Sequence, residues 1–137
     1  MDVLIFEDDA EKREWFLKDP TDPLPVFTAT AQETIDQLRK NKWDALLLTY
    51  DNGGELLMDK DDPRTGLFVA KWLKKNPRHM PKRIILHGIN TEGNALIMKL
   101  FPKAYEQSYA WMSPLCMIVE EQKRDNFSAP LYEPVED

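Results

Sequence analysis

Acidic side chains follow two of the apolar runs in this sequence. Glu7, Asp8 and Asp9 come directly after the first run, Val3–Phe6, and Asp51 stands shortly after a later one. Carboxylates that meet at one edge of a fold can bind Mg²⁺ or Mn²⁺ through oxygen ligands, or act as acid or base. We predict a metal site formed by Glu7, Asp8 and Asp51. For Asp9, whose charge suits a helix start, we predict a capping role.

A histidine ends another apolar run, at position 87, and is followed by Asn90 and Gly93. Imidazole exchanges protons near neutral pH and can donate a hydrogen bond to phosphate. We expect the ring of His87 to emerge at the same edge as the acids, beside Asn90, and we predict that His87 and Asp51 are catalytic. Asn90 is predicted to bind substrate or to cap the next helix. Gly93 is predicted to let backbone N–H groups approach a phosphate, or only to relieve crowding.

Other reactive or charged side chains fit structural roles better. Cys116 lies in an apolar stretch that favours core packing, and His79 lies in a proline-bounded loop at the surface. The acids at 59–62 lack the ligand spacing of an EF-hand. The lysines and arginines between 71 and 83 are interpreted as a solvated face, with a groove for an anionic ligand as the alternative.

The elements that would position these residues alternate between strands and helices. Short apolar runs predict strands at 3–6, 26–27, 45–48, 83–87 and 109–112. Helical spacing, prolines and caps, among them a capping box at Thr30 and Glu33, predict helices at 10–18, from 31 onward, at 66–76, at 91–101 and at 113–123.

This alternation predicts an α/β fold, a three-layer doubly wound sheet of five parallel strands. In such sheets ligands bind at the carboxyl ends of the strands, where the candidate residues fall. We predict one folded domain over residues 1–124. Residues 125–137 contain acids and prolines but no Lys or Arg, and we predict a loose extension there.

Composition excludes several classes of protein. The 137 residues are 42% hydrophobic and carry a formal charge of −6, which argues against bulk binding of DNA. The single cysteine excludes an intramolecular disulfide. The acidic start of the chain matches neither a signal peptide nor a membrane span. We therefore expect a cytoplasmic protein that does not bind membranes.

Several segments resemble one known family. In order, LIFEDD, WDALLLTYDNGG, DDPRTGLFVAKWL, IILHGIN, TEGNALIM and LFPKA resemble the cyclic-phosphate processing receiver domain, over roughly residues 2–104. The D-x-x-T-G segment together with H-x-x-N is more specific than a generic receiver pattern. The resemblance implies a receiver fold, of the flavodoxin and CheY type, and phosphoesterase-like activity on cyclic or terminal phosphates.

The resemblance also reaches individual positions. Glu7 and Asp8 match the acidic pair after the first strand, and Asp51 matches the second acid of the family's Asp-His-Asp segment. Further matches imply a substrate-binding role for Thr65. They also support a catalytic role for His87 and substrate binding by Asn90 and Gly93.

Two positions depart from the family pattern. Thr49 and Tyr50 replace the first Asp and the His of the Asp-His-Asp segment. Thr49 also occupies the place at which a signalling receiver has its phosphoacceptor Asp. Because a threonine hydroxyl cannot form an acyl phosphate, the resemblance does not extend to two-component phosphorelay.

Two hypotheses on function follow. The first is a stand-alone receiver-like phosphoesterase that uses a divalent cation on a phosphorylated small molecule or a nucleic-acid end. The second is an inactive pseudo-receiver that binds a protein partner or a phosphorylated ligand, with Trp111, Met112 and Met117 on an interaction face. A small acidic protein of this second kind fits a phage or mobile-element product that masks a host factor.

Overall fold

A computed structural model describes residues 2–18, 23–52 and 59–107. Five strands in these ranges form one sheet, and all neighbouring pairs are parallel. In chain order they are β1 Val3–Phe6, β2 Val26–Thr28, β3 Ala45–Leu48, β4 Arg83–Leu86 and β5 Tyr105–Glu106. The order across the sheet is β2-β1-β3-β4-β5. This confirms the predicted doubly wound α/β fold, with the switch in strand order between β1 and β3.

Four helices connect the strands. They are α1 Ala10–Phe16, α2 Ala31–Lys40, α3 Gly66–Lys75 and α4 Thr91–Leu100, and a short 3₁₀ turn, Pro77–His79, follows α3. In the described ranges no helix has the length and apolar character needed to cross a membrane.

Side-chain caps begin all four of these helices. The carboxylate of Asp9 accepts from the N–H groups of Glu11 and Lys12, and the Asn90 side chain accepts from Gly93. At α2, Thr30 Oγ1 accepts from the N–H of Glu33 at 3.1 Å, and the Glu33 carboxylate accepts from the N–H of residue 29, one position before the cap of a standard capping box, at 3.0 Å. The predicted caps at Asp9, Thr30 and Asn90 are therefore confirmed.

The central strands are buried on both faces, as their continuous apolar runs predict. Alternate residues divide between two layers of core. Leu4, Leu46 and Ile84 face the side covered by α2, α3 and α4, whereas Ile5 and Leu47 face the side on which Phe16 of α1 packs. Each fully buried Leu or Ile contributes about 1.5–3 kcal/mol relative to an exposed position.

The fifth strand lies earlier than the sequence predicts. Tyr105 and Glu106 pair with Ile85 and Leu86 of β4, so this two-residue segment is the edge strand. It was missed because Tyr105 is only half-buried and Glu106 is exposed, which leaves no apolar run to detect. Residues 109–112, the predicted helix at 113–123 and the extension at 125–137 lie outside the described residues.

The D-x-x-T-G segment docks α3 onto the end of β3. The backbone N–H of Gly66 donates to the carbonyl oxygen of Tyr50 at 3.1 Å. A Cβ at Gly66 would overlap the carbonyl oxygen of Thr49, which is a backbone atom and cannot rotate away. Glycine is therefore required at this first helical position by close approach.

We expect Gly66→Ala to destabilise the fold by about 1–3 kcal/mol or more, because the added methyl forces α3 away from β3. Urea denaturation followed by circular dichroism measures the change. Lys71→Ala, at an exposed position of the same helix, is the matched control and should stay within about 0.5 kcal/mol of wild type. Equal stability of the two variants would contradict the packing argument.

Candidate functional site

A buried glutamate follows β1 directly. Glu7 is 3% exposed, and its backbone N–H donates to the carbonyl oxygen of Thr28 at 3.0 Å. Its carboxylate accepts a hydrogen bond from the N–H of Asp9 at 3.2 Å. Its other oxygen, Oε1, lies 3.8 Å from Nδ1 of His87. Burial raises the pKa of Glu7 above its usual value, because the charged form loses its water.

The ring of His87 lies in the core on the α1 side of the sheet. It is 1% exposed, and Nε2 donates to the carbonyl oxygen of Phe6 at 3.1 Å. Its plane stands edge-to-face on Phe16, with ring centroids 5.1 Å apart. Burial lowers the pKa of His87 to about 4, so the imidazole is neutral at pH 7.

The ring therefore does not emerge into solvent beside Asn90 as expected, although it does lie next to Glu7 at the carboxyl end of β1. Side chains alternate between the faces of a strand, and His87 continues the alternation of β4. Ile85, two residues earlier, packs in the same layer as Phe16. The predicted catalytic role of His87 is a separate matter and stays a prediction.

The contact between Glu7 and His87 is not an ion pair, although 3.8 Å is within the usual distance. Since the Phe6 carbonyl only accepts, the ring proton lies on Nε2, which leaves Nδ1 as an acceptor facing Glu7. Neutral His87 therefore offers Glu7 no positive charge.

Asp51 and Asn90 meet at the carboxyl edge. The amide of Asn90 donates to Oδ2 of Asp51 at 3.2 Å, while its oxygen accepts from the N–H of Gly93 at 2.9 Å. The capping alternative for Asn90 is thus confirmed. The same side chain also joins the loops that follow β3 and β4, a link between predicted site residues that the sequence did not predict.

Gly93 provides room for an aromatic ring. A Cβ at this position would overlap the ring of Tyr50, which is buried. Because the N–H of Gly93 is already bonded to Asn90, the crowding alternative for this glycine is confirmed. Burial also raises the pKa of Tyr50, and the neighbouring Asp51 adds to this shift.

Two threonines near this edge use their hydroxyls for internal hydrogen bonds. Thr49 is buried directly after β3, and its Oγ1 donates to the carbonyl oxygen of Asp51 at 3.3 Å. Thr65 is buried at the start of α3, where its Oγ1 donates to the carbonyl oxygen of Asp62 at 3.0 Å and accepts from the N–H of Phe68 at 3.2 Å.

The predicted cation ligands do not assemble in the described part of the chain. Asp8 is exposed, Glu7 is buried with a raised pKa, and Asp51 is tied to the Asn90 amide. Within residues 2–18, 23–52 and 59–107, no group of three or more His, Cys, Asp and Glu is placed to hold a metal ion. Binding of Mg²⁺ or Mn²⁺ at this edge stays a prediction.

A cavity of about 430 Å³, which the sequence did not predict, lies at the carboxyl edge beside β1, β2 and β3. Asp8 lines it after β1, Asn52 lines it after β3, and Arg64 lines it before α3. The first turn of α2, with residues 29–32, closes another side. Arg64 is oriented by Asp62, whose Oδ2 accepts from it at 2.7 Å. The only sequence signal for this cavity was the capping box that starts α2.

Comparison with known families settles the family of this chain. The model of the cyclic-phosphate processing receiver domain matches residues 3–103. The chain belongs to this family. Among curated protein sequences, none matches it significantly.

Solved structures with a similar fold have low sequence identity to this chain. The response regulator TrrA of Thermotoga maritima, solved in complex with Mg(2+)-BeF, is 16% identical with a TM-score of 0.61, covering 90% of this chain and 96% of that one. A CheY-like receiver domain of Methanospirillum hungatei is 15% identical with a TM-score of 0.58, covering 93% and 95%. The N-terminal domain of a Wolinella succinogenes protein is 14% identical with a TM-score of 0.65, covering 93% and 97%. These structural similarities show that the chain has the receiver fold.

Buried His87 makes stability fall as the pH falls. The unfolded chain binds a proton at the usual pKa near 6.5, whereas the folded chain excludes it down to about pH 4. Between these values wild type should lose about 2–3 kcal/mol relative to His87→Gln. Urea denaturation of both proteins from pH 7.5 to 4.5 measures this difference. A difference that does not change with pH would contradict neutral burial of the ring.

Buried Glu7 should have the opposite effect to His87 and lower the stability of the fold as the pH rises. The pKa of Glu7 is raised in the folded state, so ionising this carboxyl destabilises the native state as the pH rises above about 4.5. Glu7→Gln should therefore gain stability relative to wild type as the pH rises above that value. The same denaturation series tests this, with Glu14→Gln at an exposed position as the matched control.

Proposed function

We propose that this receiver-family chain is a pseudo-receiver that binds a phosphate-bearing ligand at the carboxyl edge of its sheet without cleaving it. The observation that carries the proposal is the burial of His87, which also lowers its pKa. A general acid or base must reach the proton that it transfers. Both nitrogens of this ring face protein atoms, Nε2 towards Phe6 and Nδ1 towards Glu7.

The end of β3 supports the same conclusion. Thr49 has a hydroxyl in place of the carboxylate that a phosphoacceptor needs, and this hydroxyl is bonded to the Asp51 backbone. Tyr50 is packed beneath Gly93. Neither side chain projects a free carboxylate or imidazole into the edge where the family pattern has Asp and His.

The cavity at this edge supports a binding function. Its volume of about 430 Å³ lies in the range of small-molecule sites. The first turn of α2 contributes the positive end of the helix dipole. Arg64 adds a guanidinium whose positive charge attracts phosphate, although its Nε and Nη2 already donate to the Asp62 carboxylate. A phosphorylated small molecule or a nucleic-acid end fits this chemistry, whereas the negative charges of Asp8 and of Asp62, the partner of Arg64, oppose it.

Binding can be tested with 5′-AMP as the probe, followed by ³¹P NMR line broadening and by calorimetry. We expect saturable binding that Arg64→Ala weakens about tenfold, since one charged hydrogen bond to phosphate contributes about 1.5–3 kcal/mol. Lys99→Ala, an exposed substitution on α4, is the matched control and should leave the affinity unchanged. Equal affinities for wild type and Arg64→Ala would contradict binding in this cavity.

Turnover is tested separately with 2′,3′-cyclic AMP in the presence of Mg²⁺ or Mn²⁺. We expect no release of a phosphomonoester above the rate without protein, measured by ³¹P NMR. Metal-dependent cleavage that is lost in the isosteric variant Asp51→Asn would overturn the pseudo-receiver proposal.

The second candidate is the phosphoesterase activity that membership of a cyclic-phosphate processing family favours. Asp51 is half-buried and Asp8 is exposed, so both carboxylates can meet solvent at the carboxyl edge. In this alternative they bind the cation, and Asn90 orients the phosphate. The Asp51→Asn turnover assay distinguishes the two candidates.

A further inference from the structure

Positive charge is concentrated on one part of this acidic chain. Residues 39–44 and 71–83 contain nine Lys and Arg but a single acid, Asp44. Arg83 is buried in β4, and the other eight are exposed. We call the exposed Lys and Arg of residues 39–42 and 71–82 the basic surface. It comprises the last turn of α2, the loop that follows, α3 and the 3₁₀ turn.

Direct contacts join the loop after α2, the 3₁₀ turn and the start of β4, whereas Nζ of Lys74 on α3 donates to the carbonyl oxygen of Leu100 on the α4 side. Nζ of Lys42 donates to the carbonyl oxygen of Arg78 at 2.9 Å, which connects the loop after α2 with the 3₁₀ turn. Nε of Arg78 donates to Nε2 of His79 at 3.3 Å. The N–H of Lys82 donates to the carbonyl oxygen of Trp43 at 3.2 Å, which brings the start of β4 to the same loop.

Flat side chains lie within this surface. The indole of Trp72 is half-buried, and the ring of His79 stacks on it with centroids 5.4 Å apart and an interplanar angle of 27°. The guanidinium carbon of Arg39 lies 5.4 Å from the centroid of the same indole. Aromatic rings and guanidinium planes are the groups on which nucleic-acid bases stack.

Among the described residues, two acids lie at the border of this surface. Asp44 lies 3.1 Å from Nζ of Lys82, and Asp36 lies 3.9 Å from Arg39. Holding many like charges on one face favours a polyanion, because binding releases the counterions that otherwise screen both partners.

We infer that the basic surface binds single-stranded nucleic acid, with phosphates on the Lys and Arg side chains and a base stacked on the cluster of Arg39, Trp72 and His79. An acidic polypeptide would use the same charges but would gain nothing from the flat side chains, so the stacking cluster favours the nucleic acid. The total charge of −6 opposes wrapping by a duplex, whereas a single strand needs only one face. The inference is independent of the cavity proposed above.

The experiment measures fluorescence anisotropy of fluorescein-labelled rU₁₂ and dT₁₂ with the full chain, from 25 to 200 mM NaCl. We expect saturable binding that weakens linearly in a plot of log affinity against log salt. Arg39→Gln combined with Arg78→Gln should weaken binding roughly tenfold or more at 100 mM salt and reduce the slope by about 1.4. Both residues are exposed, so the fold should tolerate the change.

A matched control and a stacking variant complete the design. Lys18→Gln combined with Lys60→Gln removes the same charge from exposed positions away from the basic surface and should change neither affinity nor slope beyond a small long-range effect. Trp72→Leu keeps an apolar side chain but removes the ring, and it should weaken binding about fivefold or more with an unchanged salt slope. Circular dichroism verifies that each variant is folded.

Three outcomes would overturn the inference. The first is an absence of binding to either oligonucleotide at 25 mM salt. The second is equal loss of affinity in the Lys18 and Lys60 control, which would indicate a nonspecific charge effect. The third is tighter binding of poly-L-glutamate than of the oligonucleotides with no effect of Trp72→Leu, which would identify the surface as a site for an acidic protein.

Discussion

The carboxyl edge of the sheet depends on the close approach of three glycines to Thr49 and Tyr50. A Cβ at Gly66 would overlap the Thr49 carbonyl oxygen, a Cβ at Gly88 would lie 2.6 Å from the Thr49 hydroxyl, and a Cβ at Gly93 would overlap the Tyr50 ring. Since these glycines belong to α3, to the loop after β4 and to α4, two adjacent residues hold three elements in place. The space between Thr49 or Tyr50 and these three glycines is therefore filled by protein.

This packing explains how the fold survives the two departures from the family pattern. Tyr50 is larger and less polar than an acidic or imidazole side chain, and its burial contributes to the layer that contains Leu48 and Leu86. Two of the residues that match the family pattern, Asn90 and Thr65, have structural roles as helix caps. Matching motif residues can thus persist because the fold needs them, which weakens any argument from motif to catalysis.

The fold was predictable from the sequence because its signals are local. Buried parallel strands need continuous apolar runs such as Leu46–Leu48, and helices need caps such as Thr30. The candidate site was less predictable. The proximity of Asp51 and Asn90 follows from both residues lying after neighbouring strands, but the burial of His87 depends on side-chain alternation beyond the last strand residue, where the backbone can turn either way. The edge strand at Tyr105 and the cavity beside Arg64 arise from tertiary packing and leave no periodic pattern.

The two proposed binding sites lie on surfaces of opposite charge. Acids surround the carboxyl edge, among them Asp8, Asp51 and Asp62, whereas the basic surface lies around α3 and the 3₁₀ turn. At physiological salt, exposed charges act over about 8 Å, so each site experiences mainly its own neighbours. Salt screens the repulsion between a phosphate and the acidic edge, but it also removes the counterion release that drives a polyanion onto the basic surface. The cavity should therefore depend on precise hydrogen bonds from groups such as Arg64, while the basic surface depends on ionic strength. One acidic chain can carry both binding sites because the net charge of −6 is the sum over surfaces of opposite sign.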